Sequence, residues 1–402
     1  MIPEEWSVSK VGVEFDIQLG KMLDAEKNTG VLKPYLGNKA VQWNVIDVGD
    51  LQMMAMSRSD LERFRLRHGD LLVCEGGEVG RSAIWEDQIE ECYYQKALHR
   101  LRPLRGFNPR LMIEILRYWT DQGMLANYVT QTSIAHLTRE KFAEVPIPVP
   151  STEEQDTIAA ALSDVDALLA ALDALITKKR DIKQATMQQL LTSRTRLPGF
   201  SGEWAVINMA SDAILKARIG WQGLTTAEYL EDGDYYLVTG TDFVNGRVDW
   251  SSCCFVDKSR YLQDKHIQLK DGDVLLTKDG TIGKVGYVDH LPAPSTLNSG
   301  IFVIRPKNEK YESQYLYYVM TSSIFDGFLE RLQAGSTISH LYQKDFVNFS
   351  FLAPPPIEQT AIADVLSDMD AEIAALERRR AKTQVLKQGM MQELLTGKTR
   401  LV

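Results

Sequence analysis

"QQLLTSRTRL" occupies residues 188–197, and "QELLTGKTRL" occupies residues 392–401. Working back from these strings, "SIAHLTREKFAEVPIPVPSTEEQDTIAAALSDVDALLAAL" from Ser133 lies over "TISHLYQKDFVNFSFLAPPPIEQTAIADVLSDMDAEIAAL" from Thr337, at a constant displacement of 204 positions. His136 meets His340, Phe142 meets Phe346, Gln155 meets Gln359 and Leu197 meets Leu401 without a gap. Further upstream the likeness weakens but persists: Trp6 pairs with Trp204, Gly20 with Gly220 and Asp47 with Asp249. "GDLLVCEGGEVGR" from Gly69 matches "GDVLLTKDGTIGK" from Gly272, and Arg102-Pro103 matches Arg305-Pro306. Nearly the whole chain is two copies of a unit of about 200 residues, far longer than a solenoid period, so each copy can hold a domain of its own. "PGFSGEW" follows Leu197 and "PEEW" begins at Pro3, so the second repeat stops where the first begins and the arrangement reads as cyclic.

Each copy reads as a globular head followed by a long helix. "KPYL", "DLLVCE", "YYLVTG", "DVLLTK" and "GIFVIRP" are short β-rich runs between glycine-containing turns, and Asn245-Gly246 is a two-residue hairpin signal. "PRLMIEILRYWTDQG" and "ESQYLYYVMTSSIF" add short helices. The long helix starts at "VPIPVPSTEEQ", where Ser151 and Glu154 have capping-box spacing, or at "APPPIEQ", where proline suits the first turn. Ile158, Leu162, Val165, Leu169, Leu172 and Ile176 follow a heptad, repeated by Ile362, Leu366, Met369, Ile373 and Leu376. Lys179 and Arg380 interrupt the seam, which a shifted stripe continues: Ile182, Met187, Leu190 and Leu386, Met390, Leu394. A helix of about 40 residues is about 60 Å long. Two such stripes bury each other most simply as a coiled coil. The expected fold is α+β: two globular α/β domains at 1–150 and 199–354, separated by helical regions at 151–198 and 355–402 that pair as an antiparallel coiled coil in an internal pseudo-twofold repeat.

Bulk properties exclude several classes. A hydrophobic content of 44% and a charged content of 25% are ordinary for globular chains. No apolar run reaches membrane-spanning length, and "MIPEEWSVSK" lacks the basic, apolar pattern of a signal peptide, so a cytoplasmic location is expected. Cys74, Cys92, Cys253 and Cys254 have no metal-ligand spacing. "LLTGKTRL" contains Gly-Lys-Thr, but the position five before Gly397 is Gln392 and no strand leads in, so it is no phosphate loop. Nor do the glycines of "EGGEVGR" and "KDGTIGK" form a dinucleotide fingerprint. Asp164/Asp166 and Asp368/Asp370 read as solvated helix flanks. With no Asn-Pro-Pro-Tyr methylation motif, Walker loop or metal cluster, the chain is expected to be no enzyme and to hold no cofactor.

The doubled "P-x-P-x-x-x-E-Q" and "P-P-P-I-E-Q" helix starts, the doubled helix exits and the "G-D-x-L-L-x-x-x-G-x-x-G" segment in each head resemble the specificity subunit of type I restriction-modification systems. The resemblance covers almost the whole chain. It implies two target-recognition domains, each reading one half of a split, asymmetric sequence in double-stranded DNA. It also implies helices that set the gap and dock two modification (methyltransferase) subunits, with restriction (endonuclease/translocase) subunits joining for cleavage. S-adenosylmethionine, ATP and Mg are then expected on those partners. Docking on this chain would fall on the doubled strings: Gln155, Gln189, Leu190, Leu191, Thr192 and Arg196, and Gln359, Glu393, Leu394, Leu395, Thr396, Lys398 and Arg400.

DNA readout needs side chains on base edges with cations on phosphates. In the first head Arg63, Arg65, Arg67, Lys96, Arg100 and Arg102 are candidates; in the second, Lys216, Arg218, Trp221, Gln222, Lys278, Lys284 and Arg305. The alternating "HRLRPLR" equally suits a strand with one solvated face. Ser133, His136, Thr337 and His340 either touch DNA or brace head on helix. Net charge is −9, distributed as −3 over 1–150, −1 over 151–198, −5 over 199–354 and 0 over 355–402. Neither head is basic, so weak DNA affinity of the isolated chain is expected, with partners supplying much of the phosphate grip. A two-headed coiled-coil scaffold for protein ligands, needing exposed apolar anchors, is the second reading. A fused methyltransferase-nuclease that keeps its recognition half here is the third.

Overall fold

A computed structural model describes residues 3–24, 26, 28–131, 135–333 and 340–401. Ser133 and Thr337 lie outside the described residues. The chain divides into two compact units, Met1–Asp173 with Arg378–Val402, and Ala174–Glu377. These units cut across the four segments read from the sequence, because each takes part of both long helices, Thr152–Leu190 and Pro356–Leu395.

In the first unit, strand Leu98–Pro103 lies between Phe15–Leu19 and Leu71–Cys74, with Ser82–Ile84 outermost, all antiparallel. A second sheet pairs Val31–Leu36 antiparallel with Gln52–Met56 and parallel with Tyr93–Tyr94. Helix Pro109–Asp121, capped by the Asn108 side chain and opened by proline, lays Leu111, Met112, Ile115 and Leu116 on the core. The second unit repeats the plan. Ile301–Pro306 lies between Ala213–Lys216 and Val274–Thr277, and Tyr236–Val238 pairs antiparallel with Cys254–Phe255 and parallel with Ser295–Leu297. Its hairpin turns at Asn245-Gly246 with φ of 50° and 75°, the backbone that tight hairpins require.

Within each unit the two long helices run antiparallel. In the first, Asp173 meets Arg380 at 3.0 Å and Asp166 meets Lys387 at 2.7 Å. In the second, Lys179 meets Glu372 at 2.6 Å and Lys183 meets Asp370 at 2.5 Å. Ile158, Leu162, Leu169 and Leu172 are buried in the first unit, and Ile176, Ile362, Leu366 and Ile373 in the second. Ile182 and Leu386, assigned to the shifted stripe, are instead 41% and 59% exposed. Met187, Leu190 and Leu394 of the same stripe are buried, so the stripe is interrupted at Ile182 and Leu386 and resumes where the helices meet the heads.

The doubled exit string answers to this geometry. Leu394 and Leu395 end the second repeat yet lie in the core of the first unit beside Trp6, Phe142 and Ile158; Leu190 and Leu191 end the first repeat and lie in the core of the second beside Phe351 and Ile362. Arg400 chelates Glu154, Nε to Oε1 at 2.5 Å and Nη2 to Oε2 at 2.8 Å, and Trp6 Nε1 donates to the same carboxylate at 2.9 Å. Arg196 answers Glu358 likewise, with Nε 3.0 Å from Oε1. Ser151 caps the Glu154 amide through Oγ at 3.2 Å, but the Glu154 carboxylate turns to Arg400 and Trp6, so only half of the expected capping box forms. Gly397, with φ of 69°, ends its helix in the left-handed region, and a Cβ there would lie 2.3 Å from Pro3 Cγ.

Most of the residues assigned to partner docking are therefore occupied internally. Gln155 Oε1 accepts from the Asn108 amide and Gln359 Oε1 from the Glu312 amide, both at 2.9 Å, and both side chains donate back to proline carbonyls. Leu190, Leu191, Leu394 and Leu395 are buried, and Arg196 and Arg400 are ion-paired. Glu393 accepts from Thr399 Oγ1, and Thr396 Oγ1 bonds the Gln392 carbonyl. Gln189, Thr192 and Lys398 remain exposed.

Lys387, 1% exposed, bridges Glu114 at 2.8 Å and Asp166 at 2.7 Å, and burial holds the Glu114 carboxyl above its usual range. Lys387→Met strips a buried carboxylate of its cation and is expected to cost about 3–5 kcal/mol. Arg380→Ala, which breaks the exposed pair with Asp173, is expected to cost less than about 1 kcal/mol. Urea denaturation of the full chain measures both, and equal losses would show that burial is not what makes the lysine matter.

Candidate nucleic-acid interface

Each head carries a glycine loop, residues 75–80 and 278–283, leading out of a fully buried strand. Gly80 and Gly283 have positive φ and lie against a helix: an added Cβ would sit 2.8 Å from Leu125 Cδ1 in one case and 2.4 Å from Leu329 Cδ1 in the other. The basic residue after each loop reaches back to a carbonyl, Arg81 Nη2 to Asn38 O at 2.9 Å and Lys284 Nζ to Gly240 O at 3.2 Å. The amides of Leu137 and Leu341 donate to Glu75 O and Lys278 O, each at 2.8 Å. His136 forms a β-bridge to Gly76, and His340 Nδ1 meets the Asp279 carboxylate. These histidine elements thus brace the glycine loop of their own head.

A second brace explains the doubled Gly-Asp and Arg-Pro. Arg102 Nε and Nη2 reach Asp70 at 2.5 and 2.8 Å, and Arg305 reaches Asp273 at 2.6 Å through both nitrogens. Both aspartates are buried and accept the amide three residues back. Arg102 and Arg305, assigned to DNA, serve the frame instead.

Three further candidates, Arg100, Arg218 and Gln222, are interior. Arg100 is 2% exposed and pairs with Asp16, so the solvated-face reading of "HRLRPLR" fails at Arg100 as well. His99 beside it donates Nε2 to Leu137 O at 2.7 Å, and burial pushes its pKa down to about 4. Arg218 is 1% exposed, with Nε on Leu297 O at 2.8 Å and Nη2 on Thr296 Oγ1 at 3.2 Å. Gln222 is buried, and the Trp221 side chain lies outside what the structure describes. Lys278 is half-buried over the Phe302 ring and Lys284 is held by Gly240. Arg63, Arg65, Arg67, Lys96 and Lys216 are exposed and available to phosphate.

The first head also opens a cleft of about 620 Å³, lined by Tyr35, Asn38, Lys39, Gln52 and Gln95 among others. Sequence reading missed these amides, since neither periodicity nor charge marks them; the one available signal was that Gln95 aligns with Asn298 at the displacement shared by Gly69 and Gly272. A cleft of about 680 Å³ in the second unit is lined by Arg180, Lys183 and Arg247. Its cations are already paired with Glu377, Asp370 and Asp289, and Arg247 lies 4.9 Å from the rings of Tyr287 and Tyr317. Among the described residues there is no group of three or more His, Cys, Asp or Glu placed to hold a metal.

A family model described as "Type I restriction modification DNA specificity domain" matches residues 3–183 and 222–387. The type I restriction enzyme MjaVIII specificity subunit of Methanocaldococcus jannaschii is 24% identical over 425 residues, spanning 100% of this chain and 94% of that protein. The crystal structure of the type I restriction-modification S subunit from M. genitalium superposes with a TM-score of 0.63 at 16% identity, over 98% of this chain and 96% of the other. A chain from a structural study of complex assembly and conformational transition in a type I R-M system gives 0.58 at 18% identity, over 99% and 100%. Both structures share the fold.

Arg102→Ala and Arg305→Ala each leave a buried aspartate without its cation and are each expected to lower unfolding stability by about 3–5 kcal/mol. Arg65→Ala, at an exposed position, should stay within about 0.5 kcal/mol. An Arg305→Ala chain that melts like the wild type would release that arginine for an outward role.

Proposed function

The chain belongs to the family of type I restriction-modification DNA specificity domains, and from this premise we propose that it is the sequence-recognition subunit of such a complex. Each head reads one half of a bipartite, asymmetric DNA target. The observation that carries this reading is the doubled frame: both heads hold a glycine loop with the same Arg-Asp brace, while the residues displayed around it differ. Two frames of one design with unlike surfaces suit two unlike half-sites. The exposed Arg63, Arg65, Arg67, Lys96 and Lys216 position the duplex through phosphates, the sequence-independent part of binding.

The long helices set the gap between half-sites and dock two modification subunits, with restriction subunits joining for cleavage. As most of the doubled strings are interior, docking falls on apolar side chains that the helices leave in solvent. These are Val385 and Leu386 in the first unit and Leu175 and Ile182 in the second. Chemistry resides on the partners, which carry S-adenosylmethionine, ATP and Mg, and this chain is not itself an enzyme. The location is the cytoplasm, where the DNA is; no described helix is long and apolar enough to cross a membrane. The protein-scaffold reading finds no support in the family match.

Co-expression with its modification subunit in a methylation-free host, followed by long-read mapping of methylated adenines, tests the function. One split motif of two unlike half-sites at a fixed spacing is expected. A stable complex that methylates no such motif would refute recognition. Inserting a few residues between Leu172 and Lys183 should lengthen the gap and spare both half-sites, whereas altered half-sites would sink the ruler role. Replacing Arg63, Arg65 and Arg67 together with alanine should weaken binding uniformly across sequences and flatten the log–log salt slope by about one for each phosphate no longer neutralised.

A further inference from the structure

Resting on that reading, we propose that Gln95 reads an A·T pair in the first half-site, its side-chain amide bonding the major-groove edge of adenine. Gln95 follows strand Tyr93–Tyr94, and its backbone amide donates to Leu36 O at 3.0 Å. Its side chain lies over Gly37: a Cβ there would come within 2.8 Å of Gln95 Nε2, so glycine makes room for the amide. The amide lines the cleft beside Asn38, Lys39 and Gln52.

Hydrogen-bonding capacity singles it out. Gln52 Oε1 already accepts from Tyr35 Oη at 2.7 Å, and Asn38 Nδ2 already donates to Gly76 O at 2.9 Å. Among the described residues Gln95 makes no side-chain hydrogen bond, so it offers a donor and an acceptor in one plane. Adenine presents the complement, the N7 acceptor beside the N6 donor, whereas guanine presents two acceptors. Asp47 and Asp50 also line the cleft and disfavour a phosphate there, while the exposed Lys39 of the cleft and Lys96, next to Gln95 in the chain, are the cations for backbone phosphates flanking the base.

The second head supplies an internal comparison. Asn298 holds the equivalent position, its amide donating to Val238 O at 3.0 Å. Its side chain is engaged at both ends: Oδ1 accepts from the Ser299 amide at 2.6 Å, and Nδ2 donates to Tyr229 Oη at 2.8 Å. One position in the repeat therefore reads a base in the first head and braces a loop in the second.

The test compares the methylated motifs of wild type, Gln95→Ala and Gln95→Glu, each full chain co-expressed with the modification subunit. Gln95→Ala should relax one A·T position of one half-site, discrimination falling about tenfold to a hundredfold, while the other half-site and the spacing persist and report a folded chain. Gln95→Glu should move that position towards cytosine, whose N4 donates to a carboxylate. An unchanged motif, relaxation at a G·C position, or loss of both half-sites together would overturn the inference while leaving recognition intact. A wild-type chain without a split motif would remove the reading on which it rests.

Discussion

Each unit closes on a buried carboxylate that a single arginine answers. Glu154 and Glu358 are enclosed by the head that precedes their helix, and the cations that reach them, Arg400 and Arg196, come from the far ends of the opposite helices. An ionised carboxylate buried without a partner is costly enough to unfold or neutralise its surroundings. Helix direction, helix length and the landing of the exit string all have to be right for the arginine to arrive. Arg400, with help from Trp6 Nε1, holds Glu154 below the usual carboxylate range. That contribution is present above the ordinary carboxylate pKa and fades as pH falls through the lowered one.

The two units show what such a frame will tolerate. Lys387 and Lys183 occupy equivalent places on the two helix segments, facing Asp166 and Asp370. The third member differs. In the first unit it is Glu114, which adds a second negative charge to the lysine; in the second it is Tyr318, whose hydroxyl donates to Asp370 at 2.9 Å. An acceptor and a donor can fill one position because the Lys–Asp pair offers both functions: the lysine donates to the Glu114 carboxylate, and the aspartate accepts from the Tyr318 hydroxyl.

The repeat, the head-then-helix order and the seam through Leu162 and Leu366 were legible because each depends on local spacing that the chain spells out twice, and the Asn245-Gly246 hairpin because the dipeptide itself marks the turn. The exposed run Arg63, Arg65 and Arg67 was legible from its local alternation alone. Arg100 and Arg218 were not. Whether an arginine faces water depends on what the fold packs over it, and that comes from distant residues: Asp16 pairs with Arg100, and Leu297 O and Thr296 Oγ1 take the Arg218 guanidinium. The exit strings show another limit: identity between two copies marked a shared role, and the contacts their leucines and arginines make close a core. Gln95 was silent because its interest lies in a hydrogen bond it does not make.

The division of the chain has a consequence in time. The second unit is one continuous stretch, Ala174–Glu377, but the first joins Met1–Asp173 to Arg378–Val402. On the ribosome the later unit can therefore finish before the earlier one. With about 200 residues between the two pieces and synthesis at about 5–20 residues per second, the first core waits roughly 10–40 s. Through that interval Trp6, Phe142, Ile158 and Leu162 lack the cover of Met391, Leu394 and Leu395. The nascent first head is thus the part of this protein that chaperones have most reason to meet.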